Sequence, residues 1–215
     1  MFRDRVEAGE ALAGAVAALR PVRPVVLALP RGGVPVAAPV AARLGAPLGL
    51  LLVRKLGVPG HAELAAGAVG DGEPPVVVFN DAVLAMLGLG PADFAGRVAE
   101  KAAEIAERRR LYFGGRPQPE VAGATAIVVD DGIATGATVK AALAVLKRQG
   151  PARVVLAVPV APADAAAELA REVDDLVCLD YPDPFMAVGA HYRDFAQTGD
   201  AEVIALLEAR RREGT

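Results

Sequence analysis

Two adjacent carboxylates, Asp130 and Asp131, follow a short apolar run at 126–129 and precede the small-residue stretch Gly132-Ile133-Ala134-Thr135-Gly136-Ala137-Thr138. The run is rich in β-branched residues and marks a buried strand. After the stretch, Val139, Leu143 and Leu146 recur at helical spacing. A loop of this kind at a helix start can aim several backbone N–H groups and two hydroxyls at one phosphate, aided by the helix dipole. Carboxylates just before it suit the hydroxyls of a sugar that carries the phosphate. A second turn, Pro30-Arg31-Gly32-Gly33, also lies between an apolar strand and a helical pattern. Its glycines let backbone approach a ligand closely. Each turn also has a plainer explanation. The first could be an ordinary helix capped by Thr135 or Thr138, and the second a common glycine-rich turn.

The central stretch is not a Walker A loop, which needs lysine where Ala137 stands, and it holds no Gly-x-Gly-x-x-Gly. It resembles the phosphoribosyl-diphosphate (PRPP) motif of the type I phosphoribosyltransferases: apolar strand, two acids, two variable residues, a small residue, then Thr-Gly-x-Thr. The resemblance implies that Asp130 and Asp131 hold the ribose 2′- and 3′-hydroxyls. It also implies that Ala134, Thr135, Gly136, Ala137 and Thr138 wrap the 5′-phosphate. In that family the first loop binds the diphosphate and often contains a non-proline cis peptide, which assigns Arg31, Gly32 and Gly33 to the diphosphate.

Around these turns, strands are expected at 25–29, 48–53, 76–79, 126–129, 153–158 and 176–179. Helices are expected at 4–19, 35–44, 82–87, 92–112, 163–172 and 201–212, with Val6, Leu12, Val16 and Leu19 as the apolar positions of the first. Alternating strands and helices imply right-handed crossovers and a mostly parallel sheet. Ligands in such sheets lie beyond the carboxyl ends of the strands. That rule gathers Arg31, Lys55 and Asp130 to Thr138 at one edge. The expected fold is therefore an α/β three-layer sandwich with a central mostly parallel, Rossmann-like sheet. Its whole length, 1–215, reads as a single phosphoribosyltransferase domain, with a core at about 20–180 and a small C-terminal hood at about 180–215. Residues 56–75, rich in Gly, Ala and Pro, read as a long connection, either a lid or a disordered segment. The family places a flexible loop here, making Lys55 the candidate diphosphate contact and His61 a candidate lid residue. The arginine cluster 108–110 reads as a solvated helix end, where the dipole favours cations.

Residues 180–200 hold Tyr181, Phe185, Tyr192 and Phe195, a large share of the few aromatics. In the family a hood offers the surface on which the base stacks. Phe185 is either that surface or a residue packing the C-terminal helix; Tyr192 and Phe195 read as packing.

The 215 residues are 53% hydrophobic and 23% charged, which suits a globular chain. Net charge is −3, which argues against broad nucleic-acid or anionic-membrane binding. The single cysteine, Cys178, excludes an internal disulfide framework and fits a reducing cytoplasm. No signal-peptide pattern or spanning apolar run is evident, so a cytoplasmic protein is expected.

The resemblance implies an enzyme, a glycosyltransferase of nucleotide salvage. It would transfer phosphoribosyl from PRPP to a small-molecule nitrogen acceptor, with Asp130, Asp131 and Lys55 catalytic. Mg²⁺ would be carried on PRPP near the acids with no direct protein site, and a homodimer is expected. One departure concerns the acceptor. The 6-oxopurine members carry an aspartate before Thr-Gly as proton acceptor, and here Ala134 stands there. A non-catalytic PRPP-binding regulator or sensor of the same fold is the alternative. An unrelated doubly wound domain that binds another phosphorylated sugar is the third.

Overall fold

The computed structural model describes residues 1–58 and 61–213, and only the backbone of 61–63. Along the chain run α1 (Arg5–Ala18), β1 (Pro24–Ala28), α2 (Gly33–Leu44), β2 (Leu48–Leu50), β3 (Val53–Val58), β4 (His61–Gly70) and β5 (Val76–Phe79). There follow α3 (Asp81–Leu87), α4 (Ala95–Phe113), β6 (Thr125–Val129), α5 (Ala137–Lys147), β7 (Arg153–Val160), α6 (Ala163–Leu169), β8 (Asp175–Asp180) and α7 (Asp200–Glu213). Single 3₁₀ turns occur at Pro91–Phe94 and Val188–His191. Among the described residues no single helix is long and apolar enough to cross a membrane.

The elements group into two compact units. The first comprises Met1–Leu51, Arg116–Gly136 and Gly150–Thr215. Its sheet has the order β2-β1-β6-β7-β8 and every pairing is parallel. Helices flank it, with α1 and α2 packed on each other and on the sheet. Ile127, Val128 and Val129 of the central strand are wholly buried, as are Val155 to Val158 of β7. Burying each such side chain stabilises by roughly 1.5–3 kcal/mol. From β1 the chain runs outward to β2 on one side, and from β6 outward to β7 and β8 on the other. Strand order therefore reverses between β1 and β6, whose carboxyl ends lie side by side with Ala28 opposite Val129. A crevice at such a reversal is the usual ligand position in open parallel sheets. The C-terminal segment has little regular structure after β8 until the turn at Val188–His191 and α7.

The second unit comprises Leu52–Gly115 and Ala137–Gln149. It is built on an antiparallel sheet, β3-β4-β5. Helix α5 packs on all three strands and α4 on β3 and β4. Val58, Ala66, Leu84 and Phe94 form a small core, joined by Phe79, whose ring centroid lies 6.1 Å from that of Phe94.

This unit corrects two expectations. The stretch 48–53 is not one strand: β2 ends at Leu50, and Val53 opens a strand of a different sheet. The stretch 56–75 is not a patternless lid, because β3 and β4 form a bulged hairpin there. The alternation is hard to see because Ala66, Ala68 and Val69 are the buried apolar side chains of β4, two of them alanines, which carry little strand preference, and the last two adjacent. His61 opens β4, and its side chain lies outside the described residues. The arginine cluster is also less solvated than expected. Arg108 donates to the buried Tyr112 hydroxyl at 3.0 Å, and Arg109 pairs with Glu73 at 2.8 Å.

Candidate functional site

The site grows from the β1/β6 reversal. Beyond the strands the pairing continues, with Leu29 N–H donating to the Val129 carbonyl at 2.9 Å. The loop after β1 and the acids after β6 therefore leave the sheet side by side. The peptide bond between Pro30 and Arg31 is cis. Gly33 starts α2, its N–H donating to the Leu29 carbonyl at 3.0 Å. A Cβ on Gly32 would lie 2.1 Å from Asp131 Oδ2, and one on Gly33 would lie 2.7 Å from the Val129 carbonyl oxygen. Glycine at both positions is what lets the first loop rest against the acid pair.

Asp130 is partly buried, and its Oδ1 accepts from the Asp131 N–H at 2.9 Å. Burial, reinforced by the neighbouring Asp131 charge, pushes its carboxyl well above the ordinary aspartate range. Burial also raises Asp131, and the Arg5 guanidinium opposes that rise. Arg5 Nε donates to Asp131 Oδ2 at 2.8 Å, and the Tyr192 hydroxyl donates to the Asp131 carbonyl.

After the acids, Ile133 N–H donates to the Val160 carbonyl at 2.9 Å and anchors the loop on β7. Ala134 and Thr135 are exposed and Gly136 is buried; Ala137 and Thr138 are exposed and open α5. The loop thus spans 132–136 in the first unit and runs directly into the helix start of the second.

Arg31 is half-buried, with Nη1 3.8 Å from Asp200 Oδ1 at the start of α7. Phe185 stacks on His191, centroids 5.5 Å apart and rings 23° from parallel. Lys55 lies within β3 opposite Ala68, rather than on a loop after a strand. In the second unit it lines a cavity of about 480 Å³ with Ala68, Phe79, Asn80, Lys140 and Ala141. Among the described residues no group of three or more His, Cys, Asp or Glu side chains is arranged to hold a metal ion.

Arg5 is a site residue that the sequence reading misses. The available signal is its spacing: Arg5, Ala8, Leu12 and Val16 share one helical face, and the last three are buried. Val6, named among the apolar positions of this helix, is 43% exposed.

The first unit is thus a parallel α/β sheet that carries an acid pair and a small-residue loop at its strand reversal. Residues 7–192 match the phosphoribosyl transferase domain family. The chain belongs to that family. Two Mycobacterium tuberculosis proteins, provisionally named as phosphoribosyl transferases, are each 47% identical to it over 213 residues. That alignment takes in 99% of this chain and 48% of each relative, so the chain spans about half their length. The crystal structure of TT1426 from Thermus thermophilus superposes with a TM-score of 0.87 at 44% identity, covering 96% of this chain and 97% of that one. A Neisseria gonorrhoeae protein crystallised with ppGpp shares the fold, with a TM-score of 0.52 at 15% identity, over 97% of this chain and 98% of that one.

Proposed function

We propose that this chain transfers the 5-phosphoribosyl group from PRPP to a nitrogen of a small acceptor, best represented by a nucleobase, and releases diphosphate. The observation that carries this is the acid pair lying against the Arg31-Gly32-Gly33 loop at the strand reversal. In this function Asp130 and Asp131 accept hydrogen bonds from the ribose hydroxyls. The loop from Ala134 to Thr138 receives the 5′-phosphate with its backbone N–H groups and hydroxyls. Arg31, Gly32 and Gly33 receive the diphosphate. The acceptor nitrogen bonds to C1 of the ribose as the bond from C1 to the diphosphate oxygen breaks, and the bonding pair leaves with diphosphate. Positive charge grows on the ring, so catalysis is positioning and charge stabilisation, with the two carboxylates facing the developing cation. Phe185 is the candidate stacking surface for a planar acceptor.

The donor set suits Mg²⁺ carried by the substrate. Asp131 already accepts from Arg5, and among the described residues no donor cluster surrounds the pair, so PRPP and water would supply the ion's ligands. When bound, the ion would neutralise the diphosphate.

A PRPP-binding regulator of the same fold is the second candidate, and Ala134 favours it: no carboxylate stands there to take a proton from an acceptor. Calorimetric titration with PRPP and Mg²⁺, followed by free bases and assay of diphosphate, separates the two. Binding with base-dependent release establishes the transferase. Binding with no release for any base favours the regulator or an acceptor outside the panel. Absence of binding removes both.

A further inference from the structure

Arg5 has no counterpart in the chemistry above, and it precedes the stretch that matches the family, 7–192. We propose that Arg5 is a positioning residue that holds the Asp131 carboxylate ionised and oriented beside Asp130. This rests on the acid pair being the ribose site.

The geometry is closed on every side. Arg5 Nε bonds Asp131 Oδ2 at 2.8 Å, with the two side chains only 11% and 16% exposed. Its Nη1 donates to the Ala196 carbonyl at 2.7 Å, and its Cζ sits 3.8 Å from the centroid of the Phe195 ring. Phe195 in turn stacks on Tyr192, centroids 5.1 Å apart, and the Tyr192 hydroxyl bonds the Asp131 carbonyl. Arg5 thus grips the side chain of Asp131 while Tyr192 grips its backbone, and Phe195 ties the two grips together. The segment before α1 and the segment after the 3₁₀ turn at Val188–His191 build this clamp together. Phe2 N–H donates to the His191 carbonyl at 2.8 Å, and Arg193 and Asp194 N–H groups donate to Phe2 and Arg3 carbonyls at 2.9 Å.

The chemistry explains the need. Two neighbouring carboxylates with little water favour a shared proton, and a protonated carboxyl is a poorer acceptor for hydroxyls. A guanidinium remains charged throughout the working pH range, so its support does not titrate away. An ionised carboxylate has about four acceptor positions, so one bond from Nε leaves capacity for a sugar. The charged and titratable groups around Asp131 are Arg5 from α1, Asp130 beside it and the Tyr192 phenol; Arg31, on the adjoining loop, pairs with Asp200.

The test compares wild type, Arg5→Gln and Arg5→Lys. Fold is checked by circular dichroism, PRPP–Mg²⁺ affinity is measured from pH 5 to 9, and the Asp131 carboxyl is titrated by carbon NMR without ligand. Arg5→Gln is expected to bind PRPP at least about tenfold more weakly at neutral pH, as loss of a charged hydrogen bond implies. It should also move the acid limb of binding and the Asp131 titration to higher pH. Arg5→Lys should restore the titration but only part of the affinity, because an ammonium lacks the planar stack and fork. A folded Arg5→Gln with affinity within twofold and an unmoved titration overturns the proposal. So does an affinity loss equal at every pH with an unmoved titration, which would mark a packing role. Should Arg5→Gln not fold, Phe195→Leu keeps the ion pair and loosens it. A smaller shift in the same direction supports the proposal, and no shift overturns it. If wild type binds no PRPP, the ribose function falls, while the ligand-free titration still reads the effect of Arg5 on Asp131.

Discussion

At the scale of single residues, Asp130 sets stability against function. Burial beside Asp131 raises its carboxyl well above the ordinary aspartate value. The folded chain then keeps a proton that the unfolded chain has released, so it binds more protons between the two pKa values. Stability falls as pH rises through that window. The contribution is complete below about pH 3.9, the ordinary aspartate value, and lost above the folded one. Asp130→Asn removes the penalty while keeping an oxygen for the Asp131 N–H. At pH 8 this variant should be more stable than wild type by on the order of 1 kcal/mol, the usual gain when a functional constraint is relieved. Near pH 4 the difference should vanish, and PRPP affinity should fall more than tenfold at pH 8, where wild type carries the charge. Denaturant melts at the two pH values decide it, and equal stability at pH 8 would show that folding does not penalise the charge. The acids and their loop are legible in the sequence because Asp130 to Thr138 are contiguous and the chemistry is local. Arg5 is not, because it meets Asp131 across 126 residues and only the closed fold makes them neighbours. The aromatics that hold it read as packing residues from sequence, and Tyr192 is indeed buried.

At the scale of elements, the parallel sheet is readable because its strands are short β-branched runs separated by helical spacing. Residues 126–129, expected as a strand, lie within β6, and β7 and β8 extend only a residue or two beyond the expected runs. Of the antiparallel sheet only β5 is readable, at 76–79, since in β4 small residues replace most of the large apolar ones that signal a strand. Those small residues are needed. A Cβ on Gly67 of β4 would lie 2.2 Å from the Val78 carbonyl of β5, which backbone pairing cannot absorb. Gly67→Ala should therefore destabilise by about 1–3 kcal/mol, the cost of overpacking. The loss should appear as faster hydrogen exchange at β4 and β5 amides. Gly57→Ala on β3 is the control, because a Cβ there meets nothing within 4 Å. It should be neutral or slightly stabilising through the unfolded chain. Equal effects from the two would remove the steric explanation.

At the scale of the whole molecule, ligand affinity and folding are linked, and that link can be separated from stability itself. Composition sets only broad bounds here, a globular chain of mild negative charge. A ligand that binds only the folded state at about 100 times its Kd adds about 2.7 kcal/mol. For a chain of this size that corresponds to a rise in Tm of roughly 5–10 °C. PRPP with Mg²⁺ should produce such a rise in wild type, and free ribose should not, since it lacks the phosphates that the two loops would receive. Asp130→Asn, which leaves the Arg5–Asp131 ion pair intact, gives the sharper comparison. Loss of the buried charge should raise its starting Tm above that of wild type at pH 8, while loss of a ribose acceptor should shrink the PRPP shift. A generally damaged protein would start lower and respond weakly, so the two causes move the starting Tm in opposite directions. A variant that keeps the full PRPP shift would place the sugar elsewhere, and Asp130 would then be a structural feature of the strand reversal.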